Sequence, residues 1–331
     1  MPRVMTSNQA RSAWNELVEI ERVHQVLAGR QPATFAERFW SIDNGTALGW
    51  LEQVFCGLPT GAGENARSSD EDIRSAYERR FGRLLDSHLV VRRWAKAFRD
   101  FKRTGDTWDQ VWATFRLPDL GTADTGDVLR RFRGESFSAQ AVQTLVHGDL
   151  HLENIIVPEG DQENPVLIDF AHSGWDSIFL DFVVAEMSAR WQLCRPLAEE
   201  AVEKNSHEAF INDAMRLEAF CASNAIGHRS SVQFVDARFN RIADVIVAIR
   251  HNAAKRAQGE PPSSYFLGLA FASLSKLSRI QKDDTPELLC MWAAACAVIQ
   301  FRLFVTRGSE LTLRGGTRAP RIATDATPRL K

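Results

Sequence analysis

Two short apolar runs separated by a polar turn restrict this chain more than any other stretch of its sequence. Val146-His-Gly-Asp-Leu-His-Leu-Glu-Asn-Ile-Ile156 is followed by Val166-Leu-Ile-Asp-Phe170. The runs at 155–157 and 166–170 are too short for helices and rich in Val and Ile. Between them lies the polar stretch Glu159-Gly-Asp-Gln-Glu-Asn-Pro165. That pattern predicts an antiparallel hairpin. Folding back in this way returns Asp169 to the neighbourhood of Asn154, so local geometry alone gathers Asp149, Asn154 and Asp169 in one small region.

These three side chains suit the transfer of a phosphoryl group. An attacking hydroxyl must be oriented and relieved of its proton, and a carboxylate such as Asp149 can do both. A triphosphate is gripped through magnesium, which prefers hard oxygen ligands. Asn154 offers an amide oxygen five residues after Asp149, and Asp169 offers a carboxylate twenty residues after it. The protein-kinase template has the same parts in the same order.

The segment His147-Gly-Asp-Leu-His-Leu-Glu-Asn154 resembles the catalytic loop of the aminoglycoside phosphotransferase and choline kinase-like family. Leu167-Ile-Asp-Phe170 resembles that family's metal-binding segment, and residues 174–181 its Gly…Asp continuation. Protein kinases usually carry Arg where Gly148 stands. The resemblance is close over 145–186 and continues as a looser helix pattern to 304. It implies an ATP- and Mg2+-dependent phosphotransferase acting on a small hydroxylated molecule. Asp149 is then the catalytic base, Asn154 and Asp169 are the metal ligands, and His147 and Asp181 support the site, Asp181 by bracing the loop with hydrogen bonds. His151 reads equally as a surface residue or a contact in the site. Glu153 and His172 flank the trio and are expected to adjust local hydrogen bonds.

The fold class expected is mainly α with a small β-hairpin, the large C-terminal lobe of a protein-kinase-like fold. Apolar residues recur at helical spacing around 48–55, 69–85 and 89–102, then at 178–193, 207–222, 238–257, 264–280 and 286–305. Ser69 is expected to open a helix with Asp70, Glu71 and Asp72 in its first turn, where acids favour the helix dipole. Strands are expected only at 155–157 and 166–170. Three segments follow: a helical N-terminal segment over 1–55, a kinase-like helical lobe over 56–305 containing the catalytic loop 146–156 and the metal segment 166–170, and a disordered tail over 306–331.

The resemblance also implies a small lobe of strands with a phosphate-covering loop and a phosphate-pairing lysine. No lysine precedes Lys96, and the glycine-containing stretch 57–63 reads as a surface loop, so the small lobe is absent or reduced. Three arrangements fit: a fragment whose small lobe resides in a separate chain, a pseudokinase that binds without catalysis in a bacterial signalling or defence assembly, or a reduced lid built from residues 1–55. The intact trio favours the enzyme and the missing lysine favours the pseudokinase.

Composition narrows the partners. The formal net charge of -2 gives no general pull toward nucleic acid or an anionic membrane. The apolar run at 288–301 is interrupted by Gln300 and reads as a core helix rather than a membrane span. The first sixteen residues hold no apolar run of signal type. Five cysteines without a close pair predict reduced, buried thiols. A cytoplasmic protein acting on a small-molecule hydroxyl acceptor, or docking a partner protein, is expected. Acceptor choice is assigned to 190–200 and the helices beyond, where Glu199 and Glu200 form the nearest acidic pair.

Overall fold

The structure, a computed structural model, describes residues 33–59, 66–104, 140–157, 164–223, 234–256, 263–279 and 286–307. In chain order the elements are β1 (Ala33–Thr34), α1 (Phe35–Arg38), α2 (Asn44–Gly57), β2 (Ala66–Asp72), α3 (Ile73–Phe81), α4 (His88–Thr104) and β3 (Gln140–Val146). After the catalytic-loop segment come β4 (Ile155–Val157), β5 (Val166–Leu167), β6 (Gly174–Ser177) and α5 (Leu180–Ser188), which runs into one π-helical stretch, Ala189–Leu193. The remaining described elements are helices: α6 (Arg195–Glu203), α7 (His207–Ser223), α8 (Arg238–Arg256), α9 (Ser263–Arg279) and α10 (Glu287–Arg307).

Helical periodicity accounts for most of this body. In α4 the buried residues Val90, Trp94, Phe98 and Phe101 fall three or four apart, which makes one apolar stripe. Helix α10 is apolar on all sides, as a core helix must be. By length and composition it could cross a membrane, yet 89% of its window Glu287–Phe304 is buried inside the protein. Helix α9 lies along α10, and α10 packs on α4. The Trp94 indole N–H donates to the Ala294 carbonyl at 3.1 Å, tying that contact. The described part of the N-terminal segment joins the same core: α2 packs on α8, and the Phe55 ring sits 5.3 Å from that of Phe182.

The strands form two three-stranded antiparallel sheets, β1-β4-β5 and β2-β3-β6. The expected hairpin is β4 with β5, in the register Ile155↔Leu167 and Ile156↔Val166. It is shorter than expected, because Ile168 and Asp169 leave the strand and Phe170–His172 form a 3-10 turn. Strands are also not confined to the hairpin. Residues Ser69 to Asp72 do not start a helix; they end β2, which pairs with β3. The helix starts at Ile73, and the Asp72 carboxylate caps it by accepting the Ser75 N–H at 2.8 Å. Cross-strand pairing with a partner some seventy residues away overrode the local helix signal, and nothing apolar in Ala-Arg-Ser-Ser-Asp-Glu-Asp advertises a strand. The stretch beginning at 57 therefore leads into a strand. The helix expected near the N-terminus, the short helices expected within 104–134, the hairpin turn and residues 308–331 of the tail lie outside the described residues.

The core also holds charge. Glu186 on α5 accepts from Arg190 Nη1 at 2.5 Å and from Arg250 Nη2 at 2.7 Å. Glu218 on α7 accepts from Arg190 Nε at 2.6 Å, from the Trp292 indole N–H at 2.9 Å and from Gln300 at 3.3 Å. The Tyr265 hydroxyl also donates to Glu186. All of these side chains are buried. Burial alone would push the Glu186 carboxyl up, but Arg250 and Arg190 outweigh it and hold it at about 2. Four cysteines are buried as expected, while Cys56 is exposed on α2 and all five are free. Burial pushes Cys221 and Cys296 up to about 12, which leaves them unreactive thiols.

Candidate active site

Residues 147–154 form the link between β3 and β4, and the first turn of α5 lies beneath them. Asp181, on that turn and buried, accepts the backbone N–H of His147 at Oδ2 and of Gly148 at Oδ1, both at 2.8 Å. Burial pushes its carboxyl up from the ordinary range, against the pull of His147, these two N–H groups and Arg80. The loop is thus clamped at two consecutive peptides by one side chain. A second anchor is Ser188, whose hydroxyl accepts the Leu152 N–H at 2.9 Å.

His147 is itself buried and spans the two arms of the site. Its Nε2 lies 2.8 Å from the Ile168 carbonyl, and its Nδ1 accepts the Asp149 N–H at 3.3 Å. Those partners specify the tautomer with the proton on Nε2. Its ring packs 4.4 Å from Phe170. Next to it, Gly148 has φ +85°, and a Cβ there would stand 2.1 Å from the His172 carbonyl oxygen. Only glycine fits between the loop and the 3-10 turn after Asp169, so the Arg of protein kinases has no room at this position.

The trio sits on this frame. Asp149 is 35% exposed. Asn154 is buried, and its Nδ2 donates to the Asp149 carbonyl at 2.8 Å. With the amide nitrogen so engaged, the Asn154 amide oxygen has no partner among the described residues. The Asn154 carbonyl accepts the Ile168 N–H at 3.0 Å. Ile168 is therefore bonded on one side to Asn154 and on the other to His147, and Asp169 follows it directly. Asp169 adopts a left-handed conformation, φ 59° and ψ 64°, unusual for a residue other than glycine. Its carboxylate is exposed and has no protein partner among the described residues. Such strain is commonest at functional sites. The Asp169 carboxylate and the Asn154 amide oxygen are hard oxygen donors of the kind Mg2+ prefers. Among the described residues no three His, Cys, Asp or Glu side chains cluster as a metal site, so any cation here relies on the Asn154 amide as well as on carboxylates.

The flanking residues differ from one another. His151 is largely buried, and burial lowers its pKa, with Asp149 and Glu153 acting the other way. Among the described residues its Nδ1 has no hydrogen-bond partner, and it stands 3.8 Å from Glu153. Glu153 and His172 are exposed. The acidic pair on α6 is not free: Glu199 holds Arg195, and Glu200 holds Lys204 and Arg238.

Two cations at the site escape a reading of the sequence. Arg80, in the last turn of α3, donates through Nη2 to the Gly148 carbonyl, and the same nitrogen is 3.8 Å from Asp149 Oδ1. Lys276, on α9, acts electrostatically on His151 and lies over the Trp191 ring at 5.5 Å. They reach the loop from 69 residues before Asp149 and 125 residues after His151, as their numbering gives. No local motif marks either one.

With this geometry in view, the comparisons with known proteins add one match. The model of the phosphotransferase enzyme family covers residues 4–217. No curated protein and no solved structure matches the chain.

Proposed function

The chain belongs to the phosphotransferase enzyme family, and from that premise we propose that it transfers the γ-phosphoryl group of ATP to a hydroxyl of a small molecule. The observation that carries this reading is the trio on one clamped frame: Asp149 on the loop that Asp181 holds, Asn154 bonded back to that loop, and Asp169 delivered by the hairpin. In the reaction the Asp149 carboxylate orients the acceptor hydroxyl and takes its proton. The hydroxyl oxygen forms a bond to the γ-phosphorus, the bond to the β–γ bridging oxygen breaks, and its electron pair leaves on ADP. The Asn154 amide oxygen and the Asp169 carboxylate would hold Mg2+, which neutralises charge on the β- and γ-oxygens. Catalysis is positioning and electrostatics, and the double clamp by Asp181 supplies the rigidity that positioning needs. The body described above is then the large lobe of a kinase-like fold, and the setting is cytoplasmic.

A second reading, a kinase-like binding module without catalysis, is favoured by the absence of lysine before Lys96. Phosphoryl transfer decides between them. Incubation with Mg2+, ATP and a panel of hydroxylated acceptors should yield a phosphorylated product that Asp149→Asn abolishes. No product with any acceptor, and no magnesium-dependent ATP binding, would favour the binding module.

A further inference from the structure

We propose that Arg80 is a catalytic residue of this site, a guanidinium that binds the γ-phosphoryl group in transit. The proposal rests on the phosphotransferase reading above and gives the site a cation from a chain in which no lysine precedes Lys96.

Position is the first argument. Arg80 Nη2 stands 3.8 Å from the Asp149 carboxylate, and both side chains reach solvent, at 22% and 35% exposure. An attacking hydroxyl lies about 3 Å from its base, and reacting atoms sit about 3–3.5 Å apart. The phosphorus therefore comes within about 6–7 Å of Asp149, and a guanidinium beside that carboxylate can reach its equatorial oxygens.

Unused valence is the second. A guanidinium carries five N–H donors. Among the described residues Arg80 has two partners, the Gly148 carbonyl and Asp149, and both engage Nη2. Its neighbour Arg79 shows the alternative: Nη1 pairs with Glu71 and Nη2 with Asp176 at 2.9 Å. One arginine is consumed by acids on the strands, while the next keeps Nε and Nη1 for a ligand. The bond to the Gly148 carbonyl fixes Arg80 in place beforehand, so little entropy is lost on binding.

Need is the third. A transferring phosphoryl spreads its charge over three equatorial oxygens, and an arginine contact to them is worth about 10³–10⁵ in kcat in other phosphotransferases. Arginine suits three equatorial oxygens better than lysine, because its fork binds two at once.

The test is calorimetry on the full chain with Mg2+ and either ATP or ADP, alongside thermal melts. Arg80→Ala should weaken ATP by at least about tenfold, the scale of one charge-assisted hydrogen bond, and leave ADP within about twofold, since ADP lacks the γ-phosphate. Arg80→Lys should fall between. If Arg80→Ala changes both nucleotides equally or neither, while Asp169→Ala abolishes both, Arg80 only clamps Gly148 and the phosphotransferase reading stands without it. If the wild type binds neither nucleotide, that reading fails and the assignment of Arg80 fails with it. Should Arg80→Ala not fold, Arg80→Lys decides: an unchanged ATP-to-ADP affinity ratio overturns the proposal.

Discussion

The protein holds two concentrations of charge, one in its core and one at its candidate site, and they are built on opposite terms. In the core, Glu186, Glu218, Arg190 and Arg250 are sealed from water and satisfy one another, with Tyr265, Trp292 and Gln300 meeting the remaining oxygens. At the site, Asp169 has no protein partner among the described residues, and Arg80 keeps donors that no described residue uses. A buried charge left unpaired would be very costly, so each charge of the core network is paired. Exposed groups can wait for a partner, because water holds them meanwhile. The contrast separates charges that satisfy one another inside the fold from charges left open at its surface.

Breaking the core should produce the largest effect. Arg190→Ala leaves two buried carboxylates short of a partner and should cost about 3–5 kcal/mol in denaturant unfolding; a loss below about 1 kcal/mol would show that the network is not sealed. Acid should act on the same charges. The Glu186 carboxyl is held at about 2 against its ordinary 4.5. A lowered folded pKa stabilises above the unfolded value, so this contribution is complete above pH 4.5 and is lost as pH falls toward 2. It amounts to about 3 kcal/mol, and unfolding free energies measured down this range should fall accordingly; in Glu186→Gln that part of the slope should vanish. At the site, Gly148→Ala forces a side chain onto the His172 carbonyl from a left-handed backbone. It should cost about 1–3 kcal/mol of stability, while displacing Asp149 enough to cut transfer about 100-fold. The mildest change is Arg74→Ala, which removes a partly exposed helix pair with Glu78. It should shift stability by less than about 1 kcal/mol and leave nucleotide binding alone.

What the sequence discloses follows the same division between local and distant. Helices α4, α7, α8, α9 and α10 lie within a few residues of their apolar periodicity, because a helix buries the stripe that its own sequence writes. The hairpin and the spacing of Asp149, Asn154 and Asp169 were legible because only eight residues separate the paired runs. Strand β2 was not, since its seven residues, six of them polar, become a strand only by pairing with β3. Arg80 and Lys276 arrive from other helices, and the match of Glu186 and Glu218 with Arg190 and Arg250 is made across three helices. Pairings of this kind depend on how the helices pack, which no short pattern encodes.

Manganese, as a paramagnetic substitute for magnesium, gives the most direct test of the division between sealed and waiting charge. Electron paramagnetic resonance with ATP present should show one bound ion on the wild type and on Arg74→Ala. Asp169→Ala and Asn154→Ala, both folded by melting temperature, should lose it. Undiminished manganese binding in both site variants, or none on the wild type, would contradict the claim that this open cluster is a metal-nucleotide site.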